Sequence, residues 1–299
     1  MDERAVAQLA ADHDVLYDPV LVDDMPRLMT EAQRAEVLIV RNRTQVRNAL
    51  LSALGRCKVV GRLGVGLDNI DVAGCEARRM RVIPASGANA LSVAEYVLAS
   101  AMMLLRAAYA STPAVAAGLW PRVPLSEGRE TAGQTLGIIG FGVIGQTTAR
   151  LAQALGMKVV AFDAMLARDA PAFAQAGVQA VGLNELVANA DVVTLHVPLV
   201  DTTRGLFNAA RIATMKPGAI LINTSRGHIV DLAAVAVALR AGRLGGAAID
   251  VFDVEPLQPS AMLQDCPRLL LTPHVSGLSR QANERVSFMI ADKILESLK

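Results

Sequence analysis

Leu136-Gly137-Ile138-Ile139-Gly140-Phe141-Gly142-Val143-Ile144-Gly145 is the stretch that decides the fold. An aliphatic run ends in G-x-G-x-x-G, and a segment with helical character follows from about Gly142 to Leu155. Strand, glycine turn and helix in that order open a βαβ unit that holds a dinucleotide. Gly140 permits the tight turn. Gly142 lets backbone approach a pyrophosphate, and Gly145 lets helix and strand pack closely. The helix start offers free N–H groups and a positive dipole end to the phosphates. Asp163 lies 18 residues beyond Gly145, at the end of the next strand-like run, Val159 to Phe162. An acid there accepts from adenosine ribose hydroxyls and repels a 2′-phosphate. The next residue is Ala164 rather than Arg, so NAD is expected and not NADP.

Outward from this unit, strand-like runs alternate with helical stretches. Later runs are 192–195, 219–222, 247–249 and 269–271; earlier ones are 37–40, 59–60 and 82–84. Residues 90–110 read as one long helix, 113–129 as a loop and 279–298 as a closing helix. The pattern predicts an α/β protein of two Rossmann-like or flavodoxin-like domains with parallel sheets. A nucleotide domain, 89–277, is inserted into a split substrate domain, 1–88 plus 278–299.

Composition narrows the class. The chain has 299 residues, 53% of them hydrophobic, and 29 Lys+Arg stand against 28 Asp+Glu. That balance gives no basic field for nucleic acid or anionic membrane. Aromatics are only 3%, which disfavours stacking on single strands. No apolar run is long enough to span a bilayer, since the stretch around 93–110 carries Glu95 and Arg106. MDERAVAQ lacks the features of a signal peptide. Three widely spaced cysteines make neither a disulfide framework nor a metal pair, and the four histidines lack ligand spacing, so no metal is expected. A cytoplasmic protein follows as the expectation.

Three polar segments come directly after apolar runs: Asn223-Thr224-Ser225-Arg226-Gly227, Asp250 to Pro256, and Thr272-Pro273-His274-Val275-Ser276-Gly277. That edge of an open α/β sheet is where ligands bind. Arg226, Glu255 and His274 are the parts needed for exchange between a hydroxyl and a carbonyl. The guanidinium polarises a carbonyl and clasps a neighbouring carboxylate. The imidazole gives or takes the proton, and the carboxylate orients it. Taken singly, Arg226 reads more often as a surface ion pair, His274 equally well as a capping residue after Pro273, and Glu255 as an ordinary loop acid.

The joint pattern resembles the D-isomer-specific 2-hydroxyacid dehydrogenases, above all their 3-phosphoglycerate and sulfolactate dehydrogenase-like members. The matching motifs are LGIIGFGVIGQ, HVPLVDTTRGLFN, MKPGAILINTSRGHIVD, AAIDVFDVEP and TPHVSG, with LIVRNRTQV, VVGRLGVGLDNID and SVAEYVLASAMMLL in the first half. The resemblance implies a catalytic triad of Arg226, Glu255 and His274. It implies NAD contacts at Gly140, Gly142, Val143, Ile144, Gly145, Asp163, Val197, Thr224, Asp250 and Gly277, with Asp250 toward the nicotinamide amide. It further implies domain closure and a homodimer formed through the nucleotide domain. The family begins with a strand before its first helix, whereas MDERAVAQLAADHD starts in the helix. A start assigned too far downstream, or a truncated chain, is the expectation.

By the same resemblance the turn Gly61-Arg62-Leu63-Gly64-Val65-Gly66 cradles a substrate carboxylate, with Val65 and Gly66 contributing backbone. Arg41 and Arg62 face a second anion, with Arg43 nearby. The expected substrate is thus a 2-hydroxy acid with an anionic group at carbon 3, either 3-phosphoglycerate or 3-sulfolactate. Glyoxylate or hydroxypyruvate reduction is the alternative within this chemistry. A non-enzymatic NAD-sensing corepressor is the alternative outside it. His196 reads as a loop residue beside the adenosine, and His228 as structural or as support for the site.

Overall fold

A computed structural model describes the backbone of residues 1–299 and every side chain except that of Ala110. The chain forms two compact units, Met1–Asn89 with Leu278–Lys299, and Ala90–Gly277.

The first unit is built on a parallel sheet of β1 (Val37–Val40), β2 (Val59–Arg62) and β3 (Arg81–Pro84), in that order. Both faces are covered, as parallel strands require. One face carries Leu28, Ala32, Leu50, Leu51, Leu54 and Val60. The other packs Val59 and Ile83 against Ala5 and Leu9 of the helix Glu3–Ala10 and against Val286, Ile290 and Ile294 of the helix Arg280–Leu298. The closing helix lies so near β2 that a Cβ on Gly61 would sit 2.9 Å from Ile294 Cδ1. Among the described residues no strand precedes the first helix, which Asp2 caps by accepting from Arg4 N.

The second unit holds seven parallel strands: β4 (Thr135–Ile139), β5 (Lys158–Phe162), β6 (Gln179–Ala180), β7 (Val192–Leu195), β8 (Ala219–Asn223), β9 (Leu244–Ile249) and β10 (Leu269–Leu271). Their order is β10-β9-β8-β7-β4-β5-β6. Alternate residues go to opposite cores. Leu136, Ile138, Val192, Ile220, Ile222 and Ala248 face one side. Ile139, Val193, Leu195, Leu221 and Ala247 face the other. The order in which strands are added reverses between β4 and β7, with later strands placed outward on either side, and this makes the crevice at their carboxyl ends the topological switch point.

Two expectations need correction. The helix expected over 90–110 ends at Arg106, because Ala107 turns left-handed at φ 56°. Its last carbonyls are taken by Arg129 N on Leu105 O and by the Arg268 guanidinium on Leu104 O, at 2.9 and 2.6 Å. The loop expected over 113–129 contains two short helices, Thr112–Ala116 and Arg122–Leu125.

Candidate active site and its relatives

The glycine turn is shaped by contacts on both sides. Gly140 has φ 95°, and a Cβ there would lie 2.4 Å from His196 O at the end of β7. A Cβ on Gly145 would lie 2.3 Å from Gly140 O, so the helix Val143–Ala154 packs directly on the turn. Gly142 differs: its added Cβ would meet nothing within 4 Å. A pyrophosphate lying against the helix start gives that open glycine a reason. Asp163 sits at the end of β5 as expected. Its carboxylate accepts from Phe141 N at 2.7 Å and Met165 N at 2.8 Å, so it also braces the glycine turn. Each oxygen keeps a lone pair for a ribose hydroxyl.

Val197 flanks the same turn, 3.0 Å from the position of a Gly140 Cβ. His196 Nε2 is 3.1 Å from Thr194 Oγ1, and burial pushes the imidazole down to about 3.

Just past the carboxyl end of β8, Thr224 Oγ1 is buried with no hydrogen-bond partner in the protein. An orphaned hydroxyl costs stability unless a ligand satisfies it. Together with the open side of Gly142, this fits a dinucleotide lying along the carboxyl ends of β4, β7 and β8. Gly277 ends the segment after β10.

The three expected catalytic residues leave three neighbouring strands at the same edge: Arg226 after β8, Glu255 after β9 and His274 after β10. His274 Nδ1 and Glu255 Oε2 are 2.8 Å apart, and Phe252 N donates to Glu255 Oε1 at 3.0 Å. The carboxylate thus holds one ring nitrogen while its own position is fixed by backbone. Nε2 is left as the ring nitrogen for a proton in transit. Arg226 is presented by a stapled loop. Asn223, fully buried, donates from Nδ2 to Arg226 O at 2.9 Å and accepts from Ser225 N at 3.0 Å. Ser225 Oγ reaches back to Leu195 O at 2.6 Å. The Arg226 guanidinium donates to Ser225 O. His228, the next histidine along, has Nδ1 3.6 Å from Asp253 Oδ1.

Asp250, for which the resemblance implies a place toward the nicotinamide amide, follows β9 directly. It is fully buried, and its carboxylate is engaged by the segment that carries His274. Oδ1 accepts from Thr272 Oγ1 at 2.5 Å and Val275 N at 2.9 Å; Oδ2 accepts from Ser276 N at 2.9 Å. Composition gave no sign of this use, although a short acid directly after a buried strand is the available signal.

In the first unit, Arg62 closes the turn after β2. Its Nε donates to Asn69 Oδ1 at 3.2 Å and its Nη1 to Leu63 O at 2.7 Å. Asn69, itself buried, donates to Arg41 O and Thr44 O at 2.9 and 2.7 Å, tying the ends of β1 and β2 together. Val65 is exposed on this turn and Gly66 half-buried. The Arg41 guanidinium donates to Asn283 Oδ1, and Arg43 pairs with Asp23. Arg43 is therefore engaged in a surface ion pair.

Comparison with known proteins fits this geometry. The model of the D-isomer specific 2-hydroxyacid dehydrogenase NAD binding domain matches residues 98–276. The chain belongs to that family. It is an NAD-dependent 2-hydroxyacid dehydrogenase acting on CH–OH. It is 49% identical over 298 residues to the (S)-sulfolactate dehydrogenase of Chromohalobacter salexigens, covering 100% of this chain and 96% of that one. It is 35% identical over 272 residues to the D-3-phosphoglycerate dehydrogenase of Archaeoglobus fulgidus, but spans only 51% of that enzyme. Among solved structures, the D-lactate dehydrogenase of Aquifex aeolicus complexed with NAD and lactic acid aligns with a TM-score of 0.79 at 29% identity, covering 90% of this chain and 85% of that one. Among the described residues no helix of this dehydrogenase is long and apolar enough to cross a membrane.

Proposed function

We propose that this dehydrogenase interconverts a 2-hydroxy acid carrying an anionic group at carbon 3 with its 2-keto acid, and that 3-sulfolactate is the substrate. The observation that carries the chemistry is the 2.8 Å pair between His274 and Glu255 beside the nucleotide edge of the sheet. His274 removes the proton of the carbon-2 hydroxyl through Nε2 and returns it in the reverse direction. Glu255 keeps the ring in one orientation and stabilises the imidazolium that forms. Arg226 clasps the substrate carboxylate and polarises the carbonyl. Thr224 and the N–H groups at the start of the helix Val143–Ala154 hold the dinucleotide, which when bound exchanges the hydride.

The choice of substrate rests on Arg62 and on the full-length similarity to a sulfolactate dehydrogenase. Arg62 is anchored within the turn that follows β2, and a pre-set guanidinium binds a sulfonate or phosphate at less entropic cost than a free one. The test is a spectrophotometric NADH assay with 3-sulfolactate, 3-phosphoglycerate, glycerate and lactate. Arg62→Ala raises KM for the doubly anionic substrate roughly tenfold to a hundredfold, the range of a lost charged hydrogen bond. An unchanged KM defeats the second-anion assignment. Turnover of glycerate at least as fast as sulfolactate favours hydroxypyruvate reduction. Tight NADH binding without turnover of any acid favours a sensor.

The same reading includes a homodimer. Leu119, Trp120 and Val123 are 62%, 78% and 79% exposed on one segment of the nucleotide unit, and such an apolar patch favours a second copy of the chain.

A further inference from the structure

The buried polar chain behind the catalytic histidine runs further than the site itself. His274 adopts φ 56°, a conformation that costs a residue with a Cβ and persists only where its surroundings enforce it. The enforcement comes from Asp250. Its backbone carbonyl accepts from His274 N at 2.8 Å, and its carboxylate takes Val275 N and Ser276 N. A fully buried carboxylate acting this way must itself be held and satisfied. Its third donor is the Thr272 hydroxyl, at 2.5 Å. A hydroxyl has one proton, so Thr272 gives it to Asp250 and accepts in turn. The donor to Thr272 is the Tyr96 phenol, 2.6 Å away and half-buried on the helix Ala90–Arg106. Buried Ser100, one turn later on the same helix, bonds to the Tyr96 oxygen.

We propose that Tyr96 is a positioning residue for catalysis. Its phenol, acting through Thr272 and Asp250, fixes the backbone of 272–276 and with it the placement of His274. The direction of the relay is set by chemistry. Asp250 can only accept, Thr272 has one proton to give, and Tyr96 completes the sequence as donor. Tyr96 lies 176 residues from Thr272 in the chain, and the two meet because the helix packs on the sheet that carries β9 and β10. Burial raises the Tyr96 phenol further above its ordinary range, so it retains its proton and stays a donor through any working pH. Linked bonds of this kind polarise one another and are worth more together than singly.

This inference rests on His274 being the acid–base group, so the test includes a measurement that needs no turnover. The full chain is compared with Tyr96→Phe, Thr272→Val, Thr272→Ser and the Tyr96→Phe/Thr272→Val double variant. Amide hydrogen exchange of 272–277, without ligand, is the first readout. Tyr96→Phe speeds exchange of Val275 and Ser276 about fivefold or more, while exchange in β4 and β7 is unaltered. With 3-sulfolactate, Tyr96→Phe lowers kcat about fivefold to tenfold and leaves KM within about twofold, because the phenol acts on the proton-transfer group and not on substrate binding. Thr272→Ser recovers most of what Thr272→Val loses. The double variant is no worse than Thr272→Val alone, since the relay is already cut. Unchanged exchange in Tyr96→Phe overturns the proposal, as do additive losses in the double variant. If the parent chain turns over no 2-hydroxy acid, the acid–base reading fails, and the exchange data still decide the relay by themselves.

Discussion

Replacing Glu255 by Gln is the sharpest perturbation of the chemistry. The carboxylate now serves two donors, the His274 ring at 2.8 Å and Phe252 N at 3.0 Å. A carboxamide has one acceptor oxygen, so one of these contacts is lost and the ring loses its anionic partner. A hydrogen bond to a charged group contributes about 1.5–3 kcal/mol. Here the two side chains are 39% and 33% exposed, so solvent screening places the pair at the lower end of that range. At about 1.4 kcal/mol per decade, Glu255→Gln should lower kcat roughly tenfold to thirtyfold. The loss belongs in kcat, because Glu255 supports the proton-transfer group and does not clasp the substrate. Steady-state oxidation of 3-sulfolactate at pH 8, followed by NADH absorbance, reads both constants. A variant with kcat within about twofold of the parent, or with a raised KM and unchanged kcat, would refute the orienting role.

Other outcomes test the cofactor edge, the neutral histidine and the exposed apolar segment. Gly142→Ala has open space for its Cβ, so it should melt within a few degrees of the parent yet bind NADH roughly tenfold more weakly, read by cofactor fluorescence. Gly145→Ala drives a Cβ into Gly140 O and should instead lose about 1–3 kcal/mol in chemical denaturation. His196 is held neutral, with its imidazole at about 3 against about 6.5 when unfolded, so the unfolded chain binds the extra proton first. The stability gained by the neutral ring is full above about pH 6.5 and is lost as pH falls toward 3. Urea unfolding from pH 7 to pH 4 should therefore cost the parent more stability than His196→Gln, and parallel curves would contradict this. Trp120→Glu puts a charge on the exposed apolar arm and should yield a monomer by light scattering; an unchanged oligomer removes that arm from the interface.

Why the nucleotide unit was legible in sequence is a matter of burial. Strands covered on both faces are largely apolar, so β4 stands out as a run that ends at the glycine turn, and β7 and β8 as runs that end at His196 and Asn223. β6 has no such run: Gln179 and Ala180 pair with β5 only at the sheet edge. The candidate catalytic residues were legible because each follows a strand of the nucleotide unit within a few positions. Arg43 was harder, since its pairing with Asp23 depends on how the helices fold around the small sheet and not on spacing. Tyr96 carried no signal at all, because in an apolar helix a tyrosine reads as core, and its partner lies at the far end of the unit.

Two carboxylates after β9, five residues apart, illustrate how one strand end supports one histidine in two ways. Glu255 is partly exposed and holds the His274 ring, so in the proposed mechanism its charge is available to the imidazolium. Asp250 is fully buried and holds the His274 backbone through three donors and its own carbonyl. Exchanging their environments would defeat both tasks. A buried Glu255 would lack solvent screening for an imidazolium whose charge comes and goes, and an exposed Asp250 would trade its backbone donors for water. The family motif that joins them therefore encodes two separate demands, a responsive charge for the ring and a rigid clamp for the strained backbone beneath it. Tyr96 and Thr272 belong to the clamp.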